Sequence, residues 1–209
     1  MLAHKDNHIG WLTFHNHARQ NAVSLEMWEG FKVKREQTNT NVFRIGTDGK
    51  LTAVITDLVN PNGIAFSPDE KKLYVVEWKG TPNRNIWSYD VNADGSVSNK
   101  TMLIDADDQG ALDGFKVDIA GNLWCGWGSN VTLASEPKDN ATRKVYNLKG
   151  KSEDFDGVKI FNLEGKAIGF IKLPERCANL VFGGPKKNRL YTGSCHSIYA
   201  LYVDSNGAA

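Results

Sequence analysis

Three stretches of the chain are copies of one pattern. Asn62–Trp78 (NGIAFSPDEKKLYVVEW), Asp113–Gly128 (DGFKVDIAGNLWCGWG) and Ala178–Cys195 (ANLVFGGPKKNRLYTGSC) each open with a short alternating apolar run, pass through a polar hinge and resume in a second run that ends near an aromatic. Period-2 alternation broken by Pro, Asp, Gly or Asn is the pattern of two antiparallel strands. A second pattern, a strand followed by a Gly-containing hairpin, interleaves with the first at Val42–Leu51, Ile86–Val97, Val158–Ile168 and Ile198–Ala208. Pairing each first pattern with the second that follows predicts four-stranded units over 62–105, 113–173 and 178–203, with a half unit at 41–58. Repetition of such units builds a β-propeller. The expected fold is therefore all-β, an incomplete arc of about three and a half blades.

Residues 1–28 show neither the hinge nor the alternation, and are expected to form a poorly ordered segment that stands where a further half blade should begin. The propeller is assigned to 29–209, with a polar, non-alternating insertion at 129–154 that reads as a long surface loop. An arc leaves unpaired strand edges at both ends, so self-association through open blade edges is expected. The net charge is +1 with Lys and Arg scattered, which predicts no nucleic-acid partner. No apolar run reaches the ~18 residues of a spanning helix, and no membrane partner is expected. Cys125, Cys177 and Cys195 lack CxxC spacing, so they read as buried small hydrophobes on strands rather than a disulfide framework or a zinc site.

The first strand of a propeller blade lines the central channel, and Asn62 and Asp113 open that strand in successive repeats. A carboxamide oxygen and a carboxylate at one channel mouth are hard ligands suited to Ca²⁺ or Mg²⁺ and acceptable to Zn²⁺ or Mn²⁺. The same dipeptides, Asn-Gly and Asp-Gly, are also common tight turns. In the third repeat Ala178 takes the equivalent place, and Asn179 aligns with Gly63, where it is expected to satisfy backbone. His4, His8, His15 and His17 crowd the N-terminus, but without an acidic partner they read as a solvated tail. Ser67, Ser129 and Ser194 sit in no G-x-S-x-G elbow, which gives a serine hydrolase no support. The run Trp124–Gly128 ends a strand and suits packing between blades, while Trp127 is a candidate wall for a substrate pocket.

These residues resemble the senescence-marker-protein/gluconolactonase/luciferin-regenerating-enzyme family, most nearly its bacterial gluconolactonase branch. The resemblance is carried by Pro61–Tyr74, by Asp113–Asp118 with Gly121–Trp124, and by Pro174–Gly184 with Ser197–Tyr199, and extends from about Trp28 to the C-terminus. It implies a six-bladed propeller with one divalent cation at the channel mouth and hydrolysis of a sugar lactone, a small-molecule substrate. Asn62 and Asp113 match the family's metal-binding Asn and Asp, and Asp113 also matches its proposed catalytic base. The family's Glu ligand belongs to a first blade without a counterpart here. The expected function is thus a metal-dependent lactonase, and the alternative is a catalytically impaired propeller fragment that binds only a cation or a partner.

Overall fold

A computed structural model describes residues 2–6, 9–13, 40–78, 84–106, 110–128 and 154–208. Residues 1–38 and 39–209 form two separate compact units. In the first, β1 (Leu2–Asp6) and β2 (Ile9–Thr13) pair antiparallel, Leu2 opposite Thr13 and Asp6 opposite Ile9. These paired strands lie within 1–28, where the sequence shows no strand alternation. Two strands of five mixed residues are too short to show an alternation, yet long enough to pair by backbone alone. Residues 129–153, most of the predicted insertion, lie outside the described residues, as do His8, His15 and His17.

The described residues of the second unit are strand apart from turns and a short helical bend near Asp154. Its strands are β3 (Val42–Ile45), β4 (Leu51–Ile55), β5 (Pro61–Phe66), β6 (Lys72–Glu77), β7 (Asn85–Val91), β8 (Val97–Asp105), β9 (Phe115–Val117), β10 (Leu123–Trp127), β11 (Gly157–Phe161), β12 (Ala167–Lys172), β13 (Cys177–Gly183), β14 (Arg189–Ser194) and β15 (Ile198–Tyr202). They form antiparallel sheets β3-β4, β5-β6-β7-β8, β9-β10-β11-β12 and β13-β14-β15. The half unit and the first two four-stranded units follow the sequence pattern. The third has three strands where four were expected. Residues 203–208 (VDSNGA) carry a turn sequence and leave the sheet, donating from Ala208 N to Val117 O at 3.0 Å and accepting at Asn206 O from Ile119 N at 2.9 Å.

Consecutive sheets pack face to face, and the burial of the second strands explains their composition. In β6, Leu73 and Val75 join Ile55, Leu58 and Tyr89 against the β3-β4 side. Tyr74 and Val76 point the other way, with Ile86 and Ile104, onto Phe115, Leu123, Cys125 and Trp127 of the next sheet. A strand covered on both faces needs apolar residues at every position, which is why KLYVVE and LWCGW lose the alternation seen in β5. A third core joins Trp124, Val158 and Ile160 to Cys177, Leu180, Phe182 and Leu190, with the Trp124 and Phe182 rings edge to face at 5.3 Å. Each buried Leu, Ile or Phe contributes about 1.5–3 kcal/mol. The first strands β5, β9 and β13 lie side by side in succession, as channel-lining strands do.

Candidate active site at the inner strand ends

Where the inner strands begin, their backbones come very close. A Cβ on Gly63 would stand 2.6 Å from the carbonyl oxygen of Asp113, and one on Gly114 would stand 2.3 Å from Asn179 Oδ1. Neither glycine has the positive φ of a primed turn. Asn62-Gly63 lies within β5 and Asp113-Gly114 leads into β9, so the glycines are there for close approach and not for chain reversal. β5 shifts register between Pro61 and Ile64, and β13 does so between Cys177 and Asn179. Such bulges re-aim side chains at the ends of strands.

The outcome is that Asn62 and Asp113 meet. Asn62 Nδ2 donates to Asp113 Oδ1 at 3.0 Å, with Asn62 exposed and Asp113 half-buried. Partial burial lifts the Asp113 carboxyl above its usual range, against the opposing pull of Arg176, the Asn62 amide and Arg84. Asn179 turns to the backbone as expected, its Oδ1 accepting from Leu180 N at 2.9 Å. Trp127 is 1% exposed. Its ring lies against Gly110, at 5.7 Å from the Phe161 ring and beneath Lys159 Nζ at 4.3 Å, so it is part of the core between sheets and does not stand as the open pocket wall suggested by the sequence.

Cys177 lies beside the site, buried, its thiol pushed up to about 12 chiefly by burial, with the Asp113 charge adding to the effect. At that level it stays protonated and is no nucleophile. Cys125 is fully buried and its thiol is raised further, whereas Cys195, expected to be buried on a strand, is exposed just beyond the end of β14. Among the described residues, no group of three or more His, Cys, Asp or Glu could by itself enclose a metal ion.

Sequence reasoning missed Arg84 and Arg176. Arg84 Nη1 donates to Leu112 O at 3.3 Å, and the Arg176 stem lies over Gly128. They occupy no equivalent repeat positions, the signal that marked Asn62 and Asp113 from the residues alone.

Residues 26–196 match the family described as SMP-30/Gluconolactonase/LRE-like region. The chain is 29% identical over 182 residues to a gluconolactonase of Zymomonas mobilis, which covers 83% of this chain and 43% of that protein. It is 25% identical to a 6-deoxy-6-sulfogluconolactonase of Pseudomonas putida, covering 85% of this chain and 54% of the relative. The solved structure of a Xanthomonas campestris gluconolactonase superposes with a TM-score of 0.59 at 27% identity, over 80% of this chain and 46% of that one. The chain spans about half the length of the curated relatives it matches. With the repeated sheets, the adjoining inner strands and the Asn62–Asp113 pair, the match over 26–196 places this chain in the SMP-30/gluconolactonase/LRE-like family.

Proposed function

We propose that this site serves the hydrolysis of sugar lactones, with Asp113 as general base and with Asn62 and Asp113 as ligands to one divalent cation. The observation that carries the reading is the 3.0 Å pairing of Asn62 with Asp113 at adjoining inner strand ends. The relatives' names, gluconolactonase and 6-deoxy-6-sulfogluconolactonase, point to the same substrate class.

The donor chemistry fits a hard cation. A carboxylate and a carboxamide oxygen are preferred by Ca²⁺ and accepted by Mg²⁺, Mn²⁺ or Zn²⁺, although they supply only two of the roughly six to eight oxygens that Ca²⁺ takes. When bound, the ion would supply Lewis-acid polarisation of the lactone carbonyl. The chain's own residues do the rest. The Asn62 amide holds the Asp113 carboxylate in place through its Nδ2 donor. Asp113 accepts a proton from water as the water oxygen bonds to the carbonyl carbon; the ring C–O bond then breaks and its oxygen takes up a proton, leaving a hydroxy acid. Burial raises the Asp113 carboxyl and with it its strength as a base, while a bound cation would draw it back down.

The test is an assay of aldonolactone hydrolysis before and after exhaustive chelation, with Ca²⁺, Mg²⁺, Mn²⁺ or Zn²⁺ added back. Activity lost on chelation and restored by one ion is the expected result; full activity in chelator rules the cation reading out. A second reading is a non-catalytic propeller section that binds a partner. It is favoured by the exposed apolar residues Ile45, Ile198 and Tyr202, at 72%, 80% and 75%.

A further inference from the structure

The third sheet carries a cavity at the end away from Asn62 and Asp113. β13 leaves the site at Ala178, whose carbonyl accepts from Gly114 N at 2.8 Å. Five residues on, roughly 17 Å at the rise of a strand, Gly183 pairs with Arg189 at the start of β14, and Arg189 pairs with Tyr202 at the end of β15. The turn between β13 and β14 and these two side chains wall a cavity of about 340 Å³, lined by Gly184, Pro185, Lys186, Asn188, Arg189 and Tyr202. The backbone of that turn is pinned. Lys187 N donates to Gly184 O at 2.9 Å, and the C-terminal tail adds Val203 N to Asn188 O at 3.0 Å, Gly207 N to Lys187 O at 2.9 Å and the Asn206 side-chain amide to Lys186 O. The walls are therefore held in place by backbone on both sides.

Two of the lining residues, Lys186 and Arg189, are cations, and none is acidic. Arg189 is half-buried, with its Cζ 5.2 Å from the centroid of the Tyr191 ring and 5.5 Å from that of Tyr202. Tyr191 stands two residues along β14 and Tyr202 directly across on β15, so all three side chains share one face of the sheet. Among the described residues the guanidinium meets these rings and no carboxylate or hydrogen-bond acceptor. Stacking on aromatic rings orders the planar fork without using its N–H donors, and that fork matches a carboxylate or phosphate. Pockets for small organic ligands begin at roughly 300 Å³, so the space suits a ring as well as an anionic group. Tyr202, 75% exposed, and Pro185 offer that ring an apolar surface. We propose that this cavity binds an organic anion, a ring that bears a phosphate or a carboxylate, with Arg189 and Lys186 on the anionic group and Tyr202 against the ring. The site stands apart from the Asn62–Asp113 pair and does not depend on the lactone reading. A ligand there and a second copy of the chain laid on the outer face of β15 would exclude one another.

Calorimetric titration of the full chain tests it, at a protein concentration where the chain sediments as a monomer. The probes are phenyl phosphate and benzoate, which carry the two anionic groups on a ring, inorganic phosphate, which lacks the ring, and phenol, which lacks the anionic group. At least one ring anion is expected to bind more tightly than both inorganic phosphate and phenol, and to weaken as salt is raised. The tighter of the two tells phosphate from carboxylate. Arg189→Gln should weaken it roughly tenfold, the loss of a charge-assisted hydrogen bond, and Arg189→Lys by less, since the charge stays without the fork. Tyr202→Ala should weaken the ring anion while leaving inorganic phosphate unmoved, which separates stacking from charge. Lys166→Gln removes a like charge from the exposed turn between β11 and β12 and should match the unaltered chain. If Arg189→Gln unfolds, the Arg189→Lys and Tyr202→Ala variants decide by the same readings. No binding of either ring anion, phenol or inorganic phosphate binding as tightly as both, indifference to salt, or Arg189→Gln within about twofold of the unaltered chain would each overturn the site.

Discussion

Asp113 and Asp118 stand on one short segment and are set in opposite states by their surroundings. Asp118 is fully buried, but Ala120 N, Asn122 N, Asn122 Nδ2, Trp124 Nε1 and Ser205 Oγ all donate to it at 2.8–3.0 Å. Burial raises its carboxyl, yet those donors together outweigh it and hold the group below its usual range. Asp113 has few donors, and burial wins. Asp118 is a structural knot that ties the β9-β10 turn to the C-terminal tail; Asp113 keeps a higher proton affinity, which the proposed base role would use. Asp113→Asn should leave the fold intact and lower lactone hydrolysis by about 10²–10⁴-fold, the range for loss of a general base; steady-state rates decide it, and an active variant removes Asp113 from the mechanism. Because the base works when deprotonated, kcat/KM should rise with pH through the Asp113 pKa, which burial raises and a bound cation would lower. Asp118→Ala strands buried donors and should cost at least about 2 kcal/mol in urea unfolding at pH 7. Since the folded pKa of Asp118 is depressed, its stabilisation is fully present above the unfolded value of about 3.9 and is lost as pH falls through the folded one. The gap between the unaltered chain and Asp118→Ala should therefore narrow at pH 3, and an equal gap at both pH values would refute the charge's role.

At the level of elements, the inner strands act through glycines that permit contact. Gly63 lets β5 reach the Asp113 carbonyl, and Gly126 lets β10 reach the Cys177 carbonyl, where a Cβ would stand at 2.8 Å. Both obstacles are backbone atoms, which cannot rotate away. Gly63→Ala should destabilise by about 1–3 kcal/mol, as overpacking does, and should separate Asn62 from Asp113. Gly193→Ala meets only an ordinary contact at 3.8 Å and serves as the neutral control; equal melting temperatures for the two variants would sink the close-approach account. The pairing of Asn62 with Asp113 was legible in the sequence because both sit at the same repeat position, and period-2 alternation located the strands. The reason for the glycines was not legible, since a turn and a close approach use the same dipeptide and only φ separates them. Arg84 and Arg176 could not be read either, because their roles come from packing over Trp78 and Gly128, which no local pattern encodes. The missing strand of the third unit follows from a turn sequence, DSNG, that resembles the hairpins of the other repeats.

For residues 39–209 as a whole, cores between sheets bury the middle strands while the outermost faces stay bare. On the β3-β4 sheet, Ile45 and Leu51 are exposed, and on the β13-β14-β15 sheet Val181, Ile198 and Tyr202 are exposed. Inner-strand residues Ile64 and Phe66 of β5 are open as well. Large side chains grouped at the two ends of a stack are the residues that another sheet covers in a propeller, where each blade buries its face on the next. Left in water, each such residue forgoes part of the ~25 cal/mol per Å² that burial supplies, and an associating surface recovers it. The purified chain is therefore expected to self-associate, with a sedimentation coefficient that rises with concentration. Charged substitution at the two ends, Ile45→Lys together with Ile198→Glu, should return it toward a monomer, because a desolvated charge costs more than the lost apolar contact gains. The same double change in the core-facing direction is not being made, so melting should move by less than about 1 kcal/mol. A chain that stays monomeric at every concentration tested, or a double variant that associates as strongly as the unaltered one, would show that these faces are not the ones that join.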